Sequence, residues 1–216
     1  SAPTLVDGAV YTITFNATDA AGNAATAVSV TNVTFDTTAP VISSVAPSAS
    51  SIVKVADVGY TLSEAIASGT VTYTRTGGSA DGSPHTQSLS GTELNTGARS
   101  LAALASAPTL VDGAVYTITF NATDAAGNAA TAVSVTNVTF DTTAPVISSV
   151  APSASSIVKV ADVGYTLSEA IASGTVTYTR TGGSADGATH TQSLSGTELN
   201  TGARSLAALA SPPTLV

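Results

Sequence analysis

The residues of this sequence best suited to chemistry are its carboxylates. Asp36 in FDTTAP, Glu64 in TLSEAI and Asp124 in TDAAGN stand in short polar stretches between apolar runs, with Asn128 four residues after Asp124. Each carboxylate has a copy elsewhere in the chain: Asp141 for Asp36, Glu169 for Glu64 and Asp19 for Asp124. Carboxylate and amide oxygens, without nitrogen or sulfur ligands, select hard cations such as calcium. Three carboxylates gathered without Lys or Arg repel one another strongly unless a cation neutralises them. The same aspartates have a second use, because Asp side chains accept bonds from backbone amides in turns. Asp124 suits a cap on AAGN, and Asp36 suits the first residue of the DTTAP turn. Both readings stand at this level.

Other reactive types are scarce. Cysteine is absent, so there is no disulfide, no thiol nucleophile and no thiolate zinc site. His85 and His190 each share a Gly/Ser-rich loop with an aspartate, Asp81 or Asp186. No strand-turn-helix elbow or oxyanion nest accompanies them, so they read as exposed loop histidines rather than parts of a nucleophile triad, and no enzymatic activity is expected. Lys54 raises the idea of a Lys–Asn isopeptide cross-link, but it sits between Val53 and Val55, and alternation points it toward solvent. Asp57 and Glu93 read as solvated.

The chain repeats itself. Shifted by 105 positions, it differs from itself only at Ser83/Ala188, Pro84/Thr189 and Ala107/Pro212. A unit of that length is the size of an independently folding domain, not of a solenoid repeat. The sequence opens without Met and ends within a third copy, as expected of a piece cut from a longer repetitive polypeptide. Charged residues are 9% of the chain, the net charge is −8, and six Lys and Arg are scattered singly. That distribution cannot form the positive stripe that nucleic acid requires. No apolar run approaches the ~18 residues of a membrane span. An apolar content of 43% in alternating pattern is enough to bury a core.

Short, Thr-rich runs of strict alternation predict half-buried strands. In one repeat they fall at Val41–Val45, Val55–Leu62, Thr70–Thr76, Thr86–Leu89, Arg99–Leu104, the segment around Tyr116, Ile118 and Phe120, and Thr131–Phe140. Val58, Tyr60 and Leu62 share a face. Val133 and Val135 are out of phase with Val138 and Phe140, which predicts a β-bulge near Thr136 and Asn137. Seven strands in about 100 residues indicate an all-β, two-sheet sandwich.

Two motifs extend this reading. Asp112-Gly113-Ala114-Val115-Tyr116 resembles the Asp-x-Ala-x-Tyr stretch of immunoglobulin-like domains, in which a tyrosine corner ties the hydroxyl to nearby backbone. ATDAAGNAAT followed by VTFDTTAPVI resembles the end of one bacterial immunoglobulin-like repeat and the start of the next, as in giant surface adhesins and biofilm proteins. The resemblance implies a tandem array of immunoglobulin-like seven-stranded sandwiches: a partial repeat in residues 1–36 (last two strands), a complete one in 37–141 and a partial one in 142–216 (first five strands). In that arrangement the linker, the loop after the second strand and the loop after the sixth lie at one end. Asp36, Glu64 and Asp124 then converge, with Asn128 as a further oxygen donor, and a calcium junction between repeats is expected. Asp112 belongs to the tyrosine corner.

The function implied is an extracellular, cell-surface stalk of an adhesin, partnered by neighbouring repeats of the same protein. An alternative is a filament subunit joined head to tail to copies of itself. In that case Asp19 of one copy lies beside Asp141 and Glu169 of another. A carbohydrate-binding module fits less well, because aromatics are 5% of residues and nearly all fall at inward positions.

Overall fold

A computed structural model of the chain describes residues 2–82, 84–187, 189–212 and 215, without the side chains of Leu101 and Leu206; Ser83 and Ala188, a pair at which the copies differ, lie outside these. Two compact units are present, Ser1–Thr142 and Thr143–Val216. Among the described residues no helix is long and apolar enough to cross a membrane.

Among the described residues, fifteen strands follow in chain order. In the first unit these are β1 (Val10–Phe15), β2 (Val28–Thr34), β3 (Ile42–Ala46), β4 (Ile52–Val53), β5 (Val58–Leu62), β6 (Ser68–Gly78), β7 (His85–Ser88), β8 (Gly97–Ala102), β9 (Ala114–Thr123) and β10 (Val133–Phe140). The second unit holds β11 (Ile147–Ala151), β12 (Val163–Leu167), β13 (Thr175–Tyr178), β14 (His190–Ser193) and β15 (Gly202–Ala207).

Residues 37–141 form a sandwich from a three-stranded sheet, β3-β5-β8, and a five-stranded sheet, β4-β10-β9-β6-β7. Alternation explains the faces. Along β9, Ala114, Tyr116, Ile118, Phe120 and Ala122 are buried while the residues between them lie outward. Val58, Tyr60 and Leu62 of β5 and Val71 and Tyr73 of β6 complete the core. The Tyr60 and Phe120 rings meet across the sandwich with centroids 6.0 Å apart, and Tyr73 meets Tyr116 edge-on at 6.5 Å. Each large core side chain contributes about 1.5–3 kcal/mol by burial. The buried hydroxyls are partnered: Tyr60 donates to the Glu93 carbonyl at 2.9 Å and Tyr73 to the Ala56 carbonyl at 2.9 Å.

The expected bulge is present. Pairing of β9 and β10 shifts between Val135 and Val138, where Asn137 takes φ 59°, so Val138 returns to the core face. The strand expected from Val55 begins only at Val58. Ile52 and Val53 cross to the other sheet and pair in parallel with Thr139 and Phe140, covering the open edge of β10. The Gly91–Leu94 segment is a single 3-10 turn, closed by a capping box between Ser90 and Glu93.

Upstream of the sandwich, β1 and β2 pair as a hairpin with Ile13 opposite Val30 and Phe15 opposite Val28. The second unit repeats β3, β5, β6, β7 and β8 but not β4: β11-β12-β15 form one sheet and β13-β14 another.

Candidate functional site

Three elements deliver the carboxylates. Asp36 follows β2 in the linker, Glu64 follows β5, and Asp124 closes β9 at its turn into β10. One carboxylate oxygen of each lies within 4.8 Å of the others. Asp36 and Glu64 are half-buried and Asp124 is buried. Asp124 is also the turn cap: Oδ1 accepts from Ala126 N at 2.9 Å and Asn128 N at 2.8 Å, and Oδ2 accepts from Asn128 Nδ2 at 2.8 Å. Asp36 Oδ1 accepts from Thr38 N at 3.0 Å. Turn capping and convergence therefore coexist in the same side chains. Asn128 acts here as a donor, since Nδ2 also reaches the Asp36 carbonyl at 3.2 Å and ties the β9–β10 turn to the linker.

The electrostatics are unequal. Burial alone would raise the Asp124 pKa, but the bonds from Asn128, Gly127 and Ala126 outweigh it and hold the carboxyl below its ordinary 3.8. Glu64 is pushed above its ordinary 4.5, first by desolvation and then by the charges of Asp36, Asp124 and Asp7. Arg99 pairs with Glu93 at 3.7 Å, and His85 and His190 lie against Asp81 and Asp186; none of these contacts reaches the trio. Chemically, the trio offers oxygen ligands to a hard cation or, without one, favours a proton on Glu64.

The copies are placed differently. Asp19 caps the β1–β2 turn through Ala21 N, Asn23 N and Asn23 Nδ2 at 2.8–2.9 Å, repeating the Asp124 geometry at an exposed position. Asp141 is half-buried in the first unit, its N–H donating to the Val53 carbonyl at 2.9 Å, and Glu169 is half-buried in the second.

Several polar residues carry roles that the sequence reading missed. Tyr116 forms the corner as expected, its hydroxyl accepting from Val111 N at 3.0 Å. Asp112, beside it, also reaches a partner farther along the chain. Asp112 Oδ1 accepts from the backbone N and the hydroxyl of Thr142, and Asp7 accepts likewise from Thr37 and, through Oδ2, from the Thr38 hydroxyl at 2.7 Å. These aspartates clamp the DTT of the linker that follows. Thirty residues separate the partners, so no local pattern could have revealed the pair.

Glu93, read as solvated, is buried. Its Oε2 accepts from Ser90 N at 2.8 Å and its Oε1 from Ala105 N at 2.7 Å, with Arg99 at 3.7 Å. The Ser-x-x-Glu spacing of SGTE was the available signal for it. Asp57 is half-buried beside Tyr73, whose hydroxyl it helps push upward after burial. His85 is likewise not a free loop residue: Nε2 lies 2.8 Å from Asp81 Oδ2, which also accepts the Tyr116 hydroxyl.

A family model described as bacterial Ig-like domain (group 3) matches residues 3–137. No curated protein matches the chain.

Proposed function

Because the chain belongs to the bacterial Ig-like domain family (group 3), we propose that it is a stalk segment of a repetitive surface adhesin, carrying a binding tip away from the cell, with its linkers stiffened by calcium. Membership in this family supports a structural, surface-type role, and such domains are typically non-enzymatic. The observation that carries the finer reading is the meeting of Asp36, Glu64 and Asp124 at the point where the linker enters the sandwich. A cation held there would join the linker to two loops of the following domain and remove the repulsion now borne by Glu64. Near-identity of the repeats supports a spacer, whose task is length, over an array of binding modules, whose loops would diverge.

The test is thermal unfolding of the chain in millimolar calcium and in chelator. An ion bound only to the folded junction stabilises by RT ln(1 + [L]/Kd), about 2.7 kcal/mol at a hundredfold excess over Kd. Calcium is expected to raise the Tm, and Asp36→Asn with Glu64→Gln to abolish the shift. Superimposed curves in the two conditions would leave the carboxylates as turn residues alone.

A further inference from the structure

Tension in an array enters a sandwich through the linker before it and leaves through the linker after it. In residues 37–141 these two points lie at opposite ends of β10. At the entry, Asn128 of the turn that leads into β10 holds the Asp36 carbonyl at 3.2 Å. At the exit, Asp141 directly follows Phe140, the last residue of β10. The entering and leaving strands belong to different sheets, since β3 pairs with β5 and β10 with β9. β4 and the two residues before it link them. Ser50 N donates to the Thr136 carbonyl at 3.0 Å, Thr139 N to the Ser51 carbonyl at 2.9 Å and Asp141 N to the Val53 carbonyl at 2.9 Å. The bulge supplies the first of these acceptors, because the register shift between Val135 and Val138 takes Thr136 out of the β9 ladder.

We infer that β4 and β10 form a mechanical clamp through which the sandwich resists tension along the array. Strand direction is the decisive feature. β4 runs parallel to β10, with Ile52 opposite Thr139 and Val53 opposite Phe140. Pulled from the entry and the exit, two parallel strands must slide along one another, so their evenly spaced bonds are loaded together. An antiparallel strand would cover the edge of β10 equally well, yet the same pull would peel it one bond at a time. Val53 adds packing, since it lies half-buried against the core cluster. The force itself comes from the stalk reading, in which a tip is held against the pull of its partner. The bond geometry does not involve the cation.

The chain is held by its two ends in a single-molecule force instrument, in chelator, which separates the outcome from calcium-dependent melting. Unfolding of the complete sandwich frees 105 residues, a gain of about 340 Å at ~3.6 Å per residue less the folded span, and this gain identifies its peak. Thr139→Pro removes one clamp N–H and should lower that peak by about a third, as one of three bonds acting together is lost. Leu89→Ala empties a buried position beside β7, at the opposite edge of the sheet, and should lower the Tm while the peak keeps its height. A second measurement does not depend on the proline variant folding. The chain has no cysteine, so handles on Ile52→Cys and Thr136→Cys, both exposed, pull across the two strands instead of along them. The bonds then break in turn, and the peak should fall to about a third of its end-to-end height. Equal peaks in the two pulling directions, a Thr139→Pro peak of full height, or a peak lowered as much by Leu89→Ala as by Thr139→Pro would each overturn the inference.

Discussion

Glu64 is the carboxylate whose charge the fold penalises, and its proton is therefore a reporter of the junction. The folded state holds that proton more tightly than the unfolded chain does. Its contribution to stability is present at low pH and is lost as pH rises from 4.5 through the raised value. Asp124 has the opposite sign: its lowered value gives stability above 3.8 that disappears as pH falls through the folded value. In chelator at neutral pH, Glu64→Gln should raise the Tm and flatten the decline above the ordinary Glu value, whereas in calcium it should lower the Tm relative to the unsubstituted chain. Differential scanning calorimetry across pH in both conditions separates the two effects. Glu93 is the second residue with a large expected effect. Glu93→Ala leaves the amides of Ser90 and Ala105 without their acceptor and should cost about 1–3 kcal/mol by chemical denaturation, as two part-buried bonds to a buried carboxylate are lost.

At the scale of elements, the strands that face across the sandwich carry its stability. Phe120→Ala removes a ring packed on Tyr60 and should cost about 3–5 kcal/mol, as large core truncations do. The linker is a further element with a defined partner. Asp7 binds Thr37 and Thr38, and the hydroxyl of Thr38 is the largest of the contacts that lower its pKa. Asp7→Asn should speed amide hydrogen exchange at Thr37 and increase proteolytic nicking within DTTAP without changing the melting of the sandwich. The clamp of Asp7 is present above the ordinary Asp value and weakens as pH falls through the lowered one. Unaltered exchange in the variant would assign the linker's order to Pro40 and its β-biased predecessor instead.

The linker between β2 and β3 is tied on both sides, by Asp7 from upstream and by Asn128 from downstream. Small-angle scattering of proteins with increasing numbers of whole repeats should give a maximum dimension growing nearly linearly, by roughly 40 Å per repeat for strands of eight to ten residues at ~3.3 Å each plus loops. Calcium should sharpen that growth and chelator should reduce it. Compact particles, or dimensions that rise with the square root of repeat number, would mark the linkers as flexible.

Most strand positions, the inward faces, the bulge at Asn137 and the repeat were legible in the sequence, because alternation and turn chemistry act between residues near in the chain. The convergence of Asp36, Glu64 and Asp124 was legible too, but only once the resemblance to an immunoglobulin-like sandwich supplied the order of the strands. What the tertiary structure alone decided were contacts across long separations. Asp112 accepts from Thr142, Glu93 is buried and accepts from Ala105, His85 shares Asp81 with Tyr116, and Ile52 and Val53 cover β10. These partners stand far apart in the sequence and meet only when the two sheets pack, so no pattern among near neighbours records them.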